Sequence, residues 1–164
     1  MTNRAFLAYA WEAAFTTWTL GGATPAQLRE AVALACRLYR VPAPTVHLAT
    51  RNTHAGKKLE SYYDPNVHHI VLRPRHHEIG TALHEAAHAI TDYLLGQTTD
   101  AHGAEWLGVF IYLLDRFKVA PRAGLEAHAR KLGLKFEPAN KTSPRFIRSS
   151  HSRAVASSKK ERAA

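Results

Sequence analysis

Cysteine occurs once in these 164 residues, and so does methionine. A lone Cys36 excludes an internal disulfide and any zinc cluster built on thiolates. It sits within an apolar helical pattern, which assigns it to core packing. A chain without disulfides suits a reducing compartment, and we expect a cytoplasmic protein. Long apolar runs are missing too. The longest, "LGVFIYLL" at 107–114, is far short of the roughly 20 residues a membrane helix needs. The opening "MTNRAFLAYAWEAAF" is basic and partly apolar, but Glu12 interrupts it, so it reads as an amphipathic helix and not as a secretory signal. Acidic residues are scarce at one end. Residues 141–164 hold seven Lys/Arg against a single acid, Glu161, which places 7 − 1 = +6 of the total +9 there and leaves +3 for residues 1–140.

Hydrophobic residues make up 46% of the chain, enough for one domain with a real core. We assign that domain to 1–138 and a basic, disordered tail to 139–164, where apolar residues nearly vanish. Apolar spacing predicts helices over 4–18 and 25–39, the second capped by Thr24 with Pro25 in its first turn. Trp11, Phe15 and Trp18 read as core aromatics. "TVHLA" at 45–49 reads as a strand, 51–58 as a polar loop, and 60–73 as a hairpin turning at Pro65-Asn66. A long helix is expected over 76–95, stopped by Gly96. Another follows over 101–117, capped by Asp100, and a shorter one over 122–132; "LKFEP" at 134–138 reads as a last strand. The class is α+β: a small, mainly antiparallel sheet packed on helices.

Histidine is what the sequence has in plenty, eleven residues of it. Within "TALHEAAHAI" at 81–90 stands His84-Glu85-Ala86-Ala87-His88. Such a pentad arises by chance in a chain of this composition with a probability of roughly 4%. Its geometry adds weight. Positions four apart on a helix lie about 40° from each other, so His84 and His88 can offer nitrogens to one ion. Glu85, turned about 100° away, can reach water at that ion without being a ligand. Ile79, Leu83, Ala86, Ile90 and Leu94 would anchor the opposite side, while Thr81 and Thr91 share the histidine face. A catalytic zinc site takes three protein ligands and leaves one position open. His102, in the first turn of the next helix, is the expected third ligand. Gly103 allows close approach there, and Glu105 is the reserve. Three imidazoles and no thiolate suit Zn2+.

"HEAAHAIT" followed by "HGAEWLGVFIYLL" resembles the SprT-like zinc metallopeptidases, with their pentad and a His-Gly-x-x-aromatic head on the next helix. "YYDPNVHHIVL" also resembles a strand of small metallohydrolases from actinobacteria and their phages. The resemblance covers about 45–117. It implies a zincin-like fold, with His84, His88 and His102 as zinc ligands, Glu85 as general base and a peptide or protein as substrate. Two departures stand out. The Cys-rich ribbon of many SprT proteins is missing, and Trp106 replaces the commoner Phe.

Several smaller expectations accompany that reading. Tyr62, Tyr63, Tyr93 and Tyr112 are candidate oxyanion donors. Asp92 is a candidate for fixing an imidazole tautomer. The strand at 67–72 offers an edge to an extended peptide. His68 and His69 point to opposite faces and read as surface residues, and Arg73 and Arg75 as a basic rim. The tail 141–164 can contact nucleic acid through its charge. No membrane partner is expected, and the oligomeric state is open. The competing reading is a binding module, stabilised by a metal and without catalysis, that docks nucleic acid or a protein assembly through its tail. Hydrolysis of a cell-wall amide is a third.

Overall fold

Thr24 begins the first described helix. Its hydroxyl accepts from Gln27 N at 3.3 Å, and Gln27 Oε1 accepts from Thr24 N at 2.9 Å. This reciprocal capping box, with Pro25 next, starts α1 (Pro25–Tyr39) where expected. Arg40 ends it in the left-handed region (φ 57°), its N–H turned back to Arg37 O. The structure, a computed structural model, describes residues 7, 10, 11, 22–74, 78–96 and 101–137. Of the helix expected over 4–18, Leu7, Ala10 and Trp11 are helical. Trp11 is fully buried; its indole N–H donates to Leu125 O at 3.1 Å and its ring meets Phe110 edge-on. Phe15, Trp18, Arg75, Asp100 and the tail from 138 lie outside the described residues.

Five short strands follow: β1 (Thr45–Leu48), β2 (Thr53–His54), β3 (Lys57–Lys58), β4 (Tyr62–Asp64) and β5 (His69–Leu72). Then come α2 (Ile79–Leu95), α3 (Ala104–Arg116) and α4 (Arg122–Lys131). The class is α+β, as expected, but the sheet is mixed. Its order is β1-β5-β4, with β1 parallel to β5 and β4 antiparallel to it. Burial explains the parallel pair. The register sets Val46 beside Ile70 and Leu48 beside Leu72, so four aliphatic side chains face the helices together. The crossover from β1 to β5 carries β4 and the β2–β3 ribbon. That ribbon occupies what the sequence presents as a plain polar loop. Ala55 (φ 48°) and Gly56 (φ 77°) both take positive φ, as a two-residue turn between twisted strands requires.

Two boundaries and one element differ from expectation. α2 begins at Ile79, after Glu78 in extended conformation. α3 begins at Ala104 with Gly103 as its N-cap, so His102 precedes the helix and is not in its first turn. "LKFEP" forms no strand over 134–137. Leu134 tucks into the core and Glu137 N donates to Ala104 O at 2.9 Å, so the segment is tied to the start of α3 and not to a sheet.

α2 packs against α1, α3 and the sheet. Leu83 and Ile90 are fully buried, worth about 1.5–3 kcal/mol each in transfer from water. Among the described residues no helix is long and apolar enough to cross a membrane.

Candidate metal centre

The helical period does for His84 and His88 what their spacing predicts. Leu83, Ala86 and Ile90 are buried in the core, and the two imidazoles share the other side of α2, with Nε2 atoms 3.1 Å apart. His102, held just ahead of α3, completes the group. One nitrogen from each of His84, His88 and His102 lies within 4.8 Å of the others. Nitrogens sharing a tetrahedral zinc stand roughly 3.3 Å apart, from a Zn–N bond of about 2.05 Å. The three side chains therefore fit a metal ion with little movement. Burial, and then the charges of His84 and His102, hold the pKa of His88 well below the ordinary value for histidine. Its ring stays neutral at pH 7 and keeps a lone pair for an ion. Glu105, the reserve ligand, stands in the first turn of α3 outside this cluster.

Trp106 explains why the rings are held as they are. It is buried at the first turn of α3 and stacks on His88, with centroids 5.1 Å apart at 23°. Its edges meet His84 at 4.8 Å and His102 at 4.6 Å. Phe110, one turn later, meets His84 at 5.4 Å. Ring pairs of this kind contribute about 0.5–1.5 kcal/mol each. They orient all three imidazoles from one indole.

The cluster opens into a pocket of about 450 Å³. Glu85, only 4% exposed, lines it with the three histidines. Thr91 lines it too, but its hydroxyl donates to Ala87 O at 2.8 Å and so serves the helix backbone. The far wall is β4 and its flanks: Ser61, Tyr62, Tyr63 and Pro65. Of the four candidate tyrosines, Tyr62 and Tyr63 line the pocket. Tyr93 points to solvent and Tyr112 packs edge-on against Tyr39.

Tyr63 belongs to a chain of side chains. Its hydroxyl donates to Asp92 Oδ2 at 3.1 Å and meets His68 Nδ1 at 2.9 Å. His68 Nε2 meets Pro42 O at 3.2 Å. The Asp92 carboxylate accepts from the Tyr63 hydroxyl, and the His68 ring bridges that hydroxyl to the Pro42 carbonyl. Burial, and then Asp92, push the Tyr63 pKa far up, which keeps its proton in place as a donor. Asp92 thus meets a phenol where an imidazole was expected. His68 is correspondingly no bare surface residue. It lies outside β5, at φ 50°, half-buried against Tyr63. The sequence signal for this is the length of the turn: strand pairing of Asp64 with His69 leaves His68 as its last residue.

The expected peptide edge also moves. β5 is the central strand, paired on both sides, so 67–72 offers no edge. Among the described residues, the free edge beside the pocket is β4. Comparison with known proteins supplies no relative to set beside this geometry: no family model matches the chain, and neither a curated protein nor a solved structure matches it significantly.

Proposed function

We propose that the protein is a zinc-dependent hydrolase of peptide bonds with a zincin-like arrangement. The observation that carries this is the convergence of three imidazole nitrogens within 4.8 Å, with the buried Glu85 lining the same pocket. In a structural site a carboxylate that is not a ligand serves only to orient an imidazole; in a hydrolytic one it takes the proton of the attacking water, and that is the role we give Glu85. His84, His88 and His102 would hold the ion. Zinc held by three neutral imidazoles keeps its double charge, polarises a carbonyl and lowers the pKa of water.

The remaining work falls to the chain. Glu85 takes a proton from the attacking water and returns one to the leaving amine, as general base and then general acid. Tyr62, more exposed than Tyr63 and free of the Asp92 chain, is the better placed of the two to donate to a substrate oxygen. The edge of β4 can receive an extended peptide by main-chain pairing, which lays a scissile bond across the pocket mouth. The resemblance of residues 84–91 and 102–114 to SprT-like peptidases points the same way.

Metal analysis of the purified protein beside a Glu85→Gln variant tests this. About one zinc per chain is expected in both. Cleavage of an unstructured protein substrate is expected only in the parent, since a lost general base costs about 10²–10⁴ in rate. A Glu85→Gln protein that cleaves at the parental rate overturns the assignment.

A further inference from the structure

A second cleft lies beyond the carboxyl ends of β1 and β5. It has a volume of about 340 Å³ and is lined by His47, Thr50, Arg51, Thr53, His54 and Arg73, with Ala49 and Leu59 at its floor. Two arginines, two imidazoles and two hydroxyl-bearing residues line it, and among the described residues no carboxylate does. Among the described residues neither Arg51 nor Arg73 forms an ion pair.

Its walls are fixed by hydrogen bonds from main-chain amides. Ala49 N donates to Leu72 O at 2.9 Å, Leu59 N to Asn52 O at 2.8 Å, and Arg73 N to Ser61 Oγ at 3.0 Å. Arg73 itself is held from behind. Its Nε donates to Glu60 O at 3.3 Å and its Nη1 to Arg51 O at 3.4 Å. That leaves Nη2 of a preoriented guanidinium, with no described acid paired to its charge. A guanidinium so held presents its remaining N–H donors in a fixed direction, with less ordering to be done on binding an oxyanion than a mobile lysine requires. Lys57 and Lys58, exposed on the β2–β3 ribbon and paired with His54 and Thr53, extend the positive charge outward from the cleft.

We propose that this cleft binds a phosphate group. The cations of the ribbon favour a group within a phosphodiester strand, whose neighbouring phosphates would meet Lys57 and Lys58. The inference does not depend on the metal centre. Arg73 N donating to Ser61 Oγ does make the two sites neighbours, because Ser61 lines the metal pocket.

The test uses the full chain and nuclear magnetic resonance of the arginine Nε–H groups and the Thr50 and Thr53 amides. One arm titrates inorganic phosphate, the other a ten-residue oligothymidylate without a terminal phosphate. Saturable shifts at Arg51, Arg73, Thr50 and Thr53 are expected, and Arg73→Gln should weaken them at least tenfold. Shifts with both probes identify a single phosphate as sufficient. Shifts with the oligonucleotide alone, with a salt slope about one unit shallower in Arg73→Gln, identify the strand. Reading local signals separates the cleft from the basic tail, which can hold the oligonucleotide in every variant. Arg51→Gln serves if Arg73→Gln fails to fold, since the Arg51 side chain makes no hydrogen bond or ion pair among the described residues. No saturable shift with either probe, or parental affinity in both variants, overturns the proposal.

Discussion

Replacing Tyr63 with Phe removes one oxygen and leaves two partners behind. Asp92 loses its donor at 3.1 Å, and His68 Nδ1 loses its contact at 2.9 Å. A hydrogen bond to a charged group contributes about 1.5–3 kcal/mol net, against about 1 for a neutral pair. Tyr63 is half-buried, so water replaces only part of what is lost. We expect Tyr63→Phe to destabilise the protein by about 1.5–3 kcal/mol, or roughly 3–12 °C in Tm for a chain of this size. Asp92→Asn should cost a similar amount. The two changes delete one shared interaction, so the double variant should be more stable than their sum by at least about 0.5 kcal/mol. Urea unfolding of the four proteins measures this cycle. A Tyr63→Phe loss below about 0.5 kcal/mol, with additive effects in the double variant, refutes the chain as a tie between β4 and α2.

Metal and stability should be linked. Zinc at a hundred times its Kd is worth about 2.7 kcal/mol, so a chelator should lower Tm by roughly 5–11 °C, and His102→Ala should abolish that difference. Calorimetry with and without chelator reads it. Acid should destabilise the metal-free protein through His88. The unfolded chain takes up that proton near pH 6.5 and the folded chain, with its depressed pKa, does not, so the unfolded state binds more protons and stability falls as pH drops below about 6.5. The slope is about 1.4 kcal/mol per pH unit for one proton, and urea midpoints from pH 7.5 to 5.5 should flatten by that amount in His88→Ala. Cys36 should be inert. Burial pushes its thiol up to about 12, so a thiol reagent at pH 8 should modify it only after denaturant is added; rapid labelling of the native protein would show that α1 opens there.

Much of the site is legible in the sequence because helices encode it locally. The i,i+4 spacing of His84 and His88 fixes their side of α2, and Leu83 and Ile90 fix which side faces the core. Thr24, Pro25 and Gln27 announce α1 by chemistry contained within four residues. The sheet is less legible, because pairing is decided by distant segments. Nothing near 45–48 says that β1 runs parallel to β5. That follows from packing Val46, Leu48, Ile70 and Leu72 on one face. The same remoteness hides the bond from Tyr63 to Asp92, 29 residues apart, and the approach of Arg73 to the carbonyl of Arg51. His102 reads as helical because Gly103 also passes for an interior small residue. The use of Gly103 as N-cap, its O accepting from Leu107 N at 3.0 Å, follows from the turn that brings His102 to its partners.

α2 carries four fully buried alanines, Ala82, Ala86, Ala87 and Ala89. Methyl-sized contacts bring its backbone close to its neighbours, so amide protons there should exchange only when the whole domain opens. His84 and His88 are thus mounted on the segment expected to open last, while His102 sits ahead of α3, outside its hydrogen-bonded ladder. An ion leaving this centre would be released first by His102, and its escape rate would be set by local motion at that one ligand, long before the helix that holds the other two gives way.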